Sequence, residues 1–471
     1  MIEEGVLVPR PVVPLVPHAV TSTGTRLRAL MVVVALSFAA CAEGNLAGTQ
    51  GEAQAPAPQA AEPPPPPPPP PPAPPQTVVP IPVTPEPVVP DVTRAALIVP
   101  LSGAATSVGR DLADAAQLAL FDFGVPHFEL RIYDSGGTAV SARAAAERAQ
   151  ADGARLVLGP LLSEAVTGAS SVMRLAGVPV FAFSNDQRIA GGGVYAAGFS
   201  AEAQIDRVVA FAARRGLVEY AALVPDDGFG SRMSAILSEA VLRRGGNVAA
   251  TAFYPADTEG LNGTVRALAR YDERVKALEE ERKLLIARDD AFSKRALERL
   301  ETRDTLGEVG FEALMLPAGG DEVLQVSPLL AFFDIDPLEV KLLGTWVWDD
   351  PALGKEPTML GAWFAAPPPE ARARFVERFQ ETFGRAPDRL STLAYDGVAL
   401  AAVLARGIGP EGAPYTRERL ETPDGFAGVD GIFRLTETGA VERGLAVLEV
   451  RRDAPREIDP APTNFAPPVT N

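Results

Sequence analysis

Four apolar runs in the first half of the folded region end in small or polar residues. Residues 95–99 lead to Ser102-Gly103, 128–133 to Asp134, 156–158 to Gly159-Pro160, and 178–183 to Ser184-Asn185. After Gly159-Pro160-Leu161-Leu162 a helix is expected from about Ser163. A strand that feeds a helix N-terminus through a glycine leaves unpaired backbone N–H groups and the positive end of a helix dipole at the strand's carboxyl edge. Ser163, Ser184 and Asn185 stand beside that edge, where ligands of open α/β sheets sit. Leu162 and Phe183 flank them as apolar walls. A second set lies further on: Asp226-Asp227-Gly228-Phe229-Gly230, Gly319, and Thr345-Trp346. The chemistry on offer is binding. With two histidines and one cysteine, a His/Cys metal set or a Cys-His nucleophile is not expected. Asp226-Asp227 in a glycine loop reads as turn and capping chemistry. No catalytic residue, metal ligand or cofactor is assigned, and the chain is not expected to be an enzyme.

The elements that must position these residues alternate. From residue 94, strands and helices follow one another through about residue 183, the pattern of a parallel sheet with right-handed crossovers. The run then restarts: helix 202–215, strand 220–224, the Asp226–Gly230 loop, helix 231–244 and strand 248–253. Two similar α/β lobes, each Rossmann-like, are therefore expected to face each other across a cleft, at the carboxyl edge where ligands of open α/β sheets sit. Residues 261–305 interrupt the second lobe with a charged helical stretch whose narrow apolar stripe includes Leu268, Tyr271, Val275, Leu278 and Leu285. It loses register near 287–290, which predicts a helical hairpin. The second lobe resumes at 313–316. Residues 360–366 are expected to cross back to lobe one, followed by helices 372–383 and 390–406. Residues 426–435 and 444–451 are expected to form a terminal strand pair.

The 471 residues carry a net charge of −17, which disfavours nucleic acid and anionic lipid surfaces as partners, and 47% are hydrophobic, enough for a sizeable core. Arg26 and Arg28 precede a short apolar run, 29–40, that ends at Cys41, the pattern of a secretory signal. The small residues directly before Cys41 resemble the bacterial lipoprotein signal, which makes Cys41 the expected lipidation site and, with Glu43 following, the outer membrane the expected anchor. Residues 42–92 contain no Lys or Arg and carry the ten-proline run Pro63–Pro72. Such a segment favours polyproline II over a packed core, and roughly fifty residues at ~3.1 Å each reach on the order of 150 Å. It reads as a disordered, semi-rigid tether.

In this order, Val99-Pro-Leu-Ser-Gly103, Leu158-Gly-Pro-Leu-Leu-Ser163, Gly177-Val-Pro-Val-Phe-Ala-Phe-Ser184, Pro225-Asp-Asp-Gly-Phe-Gly230, Tyr395-Asp396 and Gly428-Val-Asp-Gly-Ile-Phe433 resemble the type I periplasmic-binding-protein fold of the leucine/isoleucine/valine-binding kind. The chain is thus expected to divide into a signal peptide 1–41, a tether 42–92, the binding-protein-like domain 93–455 and a disordered Pro-rich tail 456–471. Within the domain the resemblance implies lobe one over 93–198 and 363–440, lobe two over 199–362 and 441–455, and the insertion at 261–305. A narrower resemblance, through Phe181-Ala-Phe-Ser-Asn-Asp186, Gly193-Val-Tyr-Ala-Ala-Gly-Phe199 and Ala221-Ala-Leu-Val-Pro-Asp-Asp227, is to the penicillin-binding-protein activators, the LpoA-like lipoproteins. That one implies a lipid-anchored periplasmic regulator whose partner is a bifunctional penicillin-binding protein, that is, a peptidoglycan synthase. The alternative is the solute-binding lipoprotein of an ABC uptake system, with a small ligand in the cleft. The binding family's Asp-x-x-Tyr-Gly motif here has Phe229 in place of the tyrosine. Gly344-Thr-Trp-Val-Trp348 stands where that family carries the acid that pairs a ligand ammonium. The expected cleft set is Ser102, Gly103, Gly159, Pro160, Leu162, Ser163, Phe183, Ser184, Asn185, Asp226, Phe229, Gly319, Thr345 and Trp346.

Overall fold

A computed structural model describes residues 92–406, 408 and 412–465. The expected signal, Cys41 and the expected tether up to residue 91 lie outside the described residues. Chain order gives β1 (Thr93–Val99), α1 (Thr106–Phe123), β2 (Phe128–Asp134), α2 (Ala139–Ala151), β3 (Leu156–Leu158), α3 (Ser163–Ala176), β4 (Val180–Ala182) and β5 (Val194–Ala196). These strands form a five-stranded sheet of order β2-β1-β3-β4-β5, parallel at every pairing. Residues 95–99 and 156–158 are fully buried. That explains their unbroken apolar runs, since a central parallel strand is covered on both faces.

The chain then enters the second lobe with α4 (Ala201–Arg214), β6 (Glu219–Pro225), α5 (Gly228–Leu242), β7 (Asn247–Tyr254), α6 (Thr258–Leu268), α7 (Tyr271–Arg288), α8 (Ala291–Leu300), β8 (Ala313–Met315), α9 (Gly320–Phe332), β9 (Lys341–Gly344) and β10 (Trp363–Ala366). Lobe one is completed by α10 (Pro369–Phe383), α11 (Ser391–Ala405), α12 (Arg417–Leu420) and a small antiparallel sheet of β11 (Phe426–Gly428), β12 (Gly431–Leu435) and β13 (Val441–Arg443). The chain returns to lobe two as β14 (Ala446–Glu449) and β15 (Arg456–Asp459), giving a seven-stranded sheet of order β15-β14-β10-β9-β8-β6-β7. Each sheet carries its core on both faces. In lobe two Trp348, Phe364 and Leu342 pack on one side, and Tyr220, Leu237 and Leu343 on the other. Full burial of one such side chain contributes about 1.5–3 kcal/mol.

Three expectations need correction. Residues 363–366 do not belong to lobe one: β10 pairs parallel with β9 and antiparallel with β14, so the chain crosses after Ala366. The expected terminal pair is split, because β12 pairs with β13 inside lobe one while residues 446–449 pair with β10, moving the last crossover to after Arg443. The tail expected to be disordered from 456 contributes β15, held on β14, with Asp459 taking Arg207 and Arg214. The helical insertion does form a hairpin, with Asp289 in the left-handed region between α7 and α8, and Leu278 and Leu285 are buried.

Candidate functional site

The β3–α3 turn is fixed by one glycine. Gly159 has φ of +85°, and a Cβ there would lie 2.2 Å from the Ile98 carbonyl oxygen on β1, so the sheet excludes any larger residue. The chain leaves the turn at Leu162, whose extended backbone precedes α3 without any side-chain cap. The first-turn N–H groups of a helix have no partner inside the helix. Ser163 stands in that turn, and its hydroxyl lies 3.0 Å from that of Ser184, at the end of β4. Ser184 is buried and also accepts from the Asp186 backbone N–H at 3.2 Å.

Ser163 and Asn185 open into a cavity of ≈ 300 Å³ between the lobes. Lobe one supplies Ser163 and 185–188; lobe two supplies Ala201 and Glu202 from the first turn of α4, and Phe229, Arg232 and Met233 from α5. Arg188 grips Asp186 with two bonds of 2.8 Å, and that pairing holds the carboxyl at about 2, well below its ordinary value, against the opposing effect of burial. Across the cavity Arg232 makes no ion pair among the described residues. Glu202 accepts from the Ser200 hydroxyl at 2.8 Å. Both polar ends of the Gln187 amide are buried without a hydrogen-bond partner. The site thus offers the Ser163 hydroxyl and a helix start on one wall, a guanidinium with no ion pair among the described residues on the other, and an apolar strip from Phe229 and Met233.

The structure gathers part of the expected set here: Ser163, Asn185 and Phe229 line the cavity, and Ser184 bonds to Ser163. Gly159 and Pro160 shape the turn behind them. The rest lie elsewhere. Ser102 lines a different groove with Asp134 and Ser141 along α2, and Gly103 packs 3.1 Å from the Gly136 carbonyl, measured from an added Cβ. Leu162 is 41% exposed beside Gly137, while Phe183 is a core residue set edge-on to Phe181. Asp226 is exposed, its N–H donating to the Tyr254 carbonyl. Gly319 precedes α9 against Val347, Thr345 is buried, and Trp346 packs on Phe199 at 5.2 Å. Sequence reading missed Asp186, Gln187, Arg188, Ala201, Glu202, Arg232 and Met233. Arg232 was within reach, since it lies three residues after Phe229 and so on the same helical face.

Among the described residues no cluster of His, Cys, Asp and Glu suits a metal, and no helix is long and apolar enough to cross a membrane. Residues 93–455 match the family model described as periplasmic binding protein. The chain belongs to the periplasmic binding protein family. Solved structures share the fold at low identity. A putative branched-chain amino acid ABC transporter protein from Rhodospirillum rubrum is 20% identical, with a TM-score of 0.60 over 78% of this chain and 100% of that one. A periplasmic ligand-binding protein of a branched-chain amino acid ABC transporter from Burkholderia xenovorans is 16% identical, at 0.58 over 80% and 97%. A solute-binding protein from Rhodopseudomonas palustris in complex with 3,4-dihydroxy benzoic acid is 16% identical, at 0.54 over 79% and 99%. No curated protein matches this chain significantly.

Proposed function

We propose that the chain is a periplasmic solute-binding protein that holds a small organic acid, as its carboxylate, between the lobes and hands it to an uptake transporter. The observation that carries this reading is the Ser163–Ser184 hydroxyl pair at the uncapped start of α3, facing the unpaired Arg232. A carboxylate placed there accepts from the Ser163 hydroxyl, oriented by Ser184, and N–H groups on one wall and from a guanidinium on the other, and such charge-assisted bonds are the strong ones. Phe229 and Met233 cover the apolar part of the solute, and Glu202 accepts from its hydroxyl or amino group. In a thermal-shift screen of amino acids and aromatic acids, a solute at a hundred times its Kd adds about 2.7 kcal/mol of stability and raises Tm by several degrees. If no acid in the panel moves Tm, the reading fails.

A second reading, a lipid-anchored regulator of a peptidoglycan synthase, is favoured by the α7–α8 hairpin. Around its bend Leu284, Ile286 and Phe292 are 62%, 64% and 66% exposed. Exposed apolar side chains gathered at such a bend suit a protein contact. Deleting 271–300 then abolishes co-purification with a bifunctional synthase; if the intact chain captures none, this reading is lost.

A further inference from the structure

Six ionisable side chains cluster where the chain crosses between lobes, none of them lining the solute cavity. Asp349 follows β9 in lobe two, and the other five belong to lobe one: Arg372, Arg389, Asp396, Asp430 and Arg443. Asp349 accepts from Arg372, in the first turn of α10, at 3.1 Å. The Arg389 Nε lies 3.9 Å from the same Asp349 oxygen and has no hydrogen-bond partner, although it is buried. Arg389 pairs with the fully buried Asp430 at 3.0 Å.

The first crossover is pinned from both lobes. Arg443 donates to the Ala197 carbonyl at 2.9 Å from lobe one, while Gln204 of lobe two donates to the Phe199 and Ser200 carbonyls at 3.2 and 2.9 Å. Phe199 takes Arg389 and Arg443 over its ring at 4.7 and 5.4 Å and packs on Trp346. Among the described residues the other ion pair of α10, Arg378 with Asp122, stays within lobe one.

We propose that Asp349 is an electrostatic latch that sets the angle between the lobes. It bonds to Arg372 in the present arrangement, with the idle Nε of Arg389 poised as its alternative partner when the second crossover, 366–369, rotates. Packed elements with two discrete arrangements, rather than a continuum, are how small shifts become lobe movements. The pair is partly buried, with side-chain exposures of 28% and 16%, so salt screens it less than a surface pair.

The test is amide hydrogen exchange on the full chain without any solute, so its outcome is independent of whether the cavity binds an acid. In Asp349→Asn, protection at Gly198, Trp346 and Gly444, whose N–H groups donate to Ser184, Gln204 and Ile432, is expected to fall about tenfold. Protection in β1 and β6 stays unchanged. Arg372→Gln removes the same bond from its more exposed end and is expected to act alike, which keeps the test valid if the first variant does not fold. Arg378→Gln, breaking a pair within lobe one, is the control and leaves those amides alone. Exchange within twofold of the parent in both test variants, or an equal rise in the control, overturns the latch.

Discussion

Replacing Asp396 by Asn is expected to stabilise the protein at neutral pH and to flatten its pH dependence. Asp396 sits on α11 and is 1% exposed. Its Oδ1 accepts from the Val429 N–H at 2.7 Å, while its Oδ2 has no partner. Burial, and then the charge of Asp430, push its carboxyl from 3.8 to about 7, against the pull of Arg443. Between those values the unfolded chain has lost the proton that the folded chain keeps. Stability therefore falls as pH rises through that window and levels off above about 7. Each pH unit is worth about 1.4 kcal/mol, so the full loss reaches about 4 kcal/mol. Asn keeps the acceptor for Val429 and carries no charge. Urea midpoints at pH 4, 5.5 and 7.5 test this: the two proteins should match at pH 4, and the variant should gain at pH 7.5. A variant less stable than the parent at pH 7.5 would refute the reasoning, because it would mean that Arg443 stabilises the ionised form by more than burial costs.

Gly159→Ala forces a Cβ against Ile98 at a positive φ and should destabilise by at least about 2 kcal/mol, read from urea midpoints. Trp348→Phe leaves the Ala318 carbonyl, now bonded at 2.7 Å, without its buried donor, and should cost about 1–3 kcal/mol in the same assay. Arg232→Gln should leave Tm unchanged, since the side chain is exposed and unpaired, yet weaken binding of the acid about tenfold or more in calorimetric titration.

Much of the fold was legible because its strands advertise themselves. Residues 95–99 and 156–158 are apolar without alternation, and each ends in the glycine or serine that its turn demands. The turn at Gly159 and the serines at 163 and 184 were readable for the same reason: local spacing places them at one sheet edge. What stayed hidden depends on distant partners. Nothing near Trp346 announces that its N–H donates to Gln204, 142 positions away, or that its ring covers Phe199 rather than the cavity. The pairing of β10 with β14 was missed because both strands are buried on two faces, so neither carries a period that reveals its neighbour. The cluster around Asp349 was invisible for a further reason. Its charges come from five separate segments, and although Asp396 and Asp430 lie in motifs singled out above, nothing in the sequence joins them to Asp349, Arg372 or Arg389.

Isothermal titration of the acid that gives the largest thermal shift, into the parent chain and into Ser163→Ala, tests the cavity most directly. Losing one hydroxyl from a charged acceptor costs about 1.5–3 kcal/mol, so the account predicts one site per chain in the parent and about 10- to 150-fold weaker binding in the variant. Equal affinity in the two proteins would contradict it.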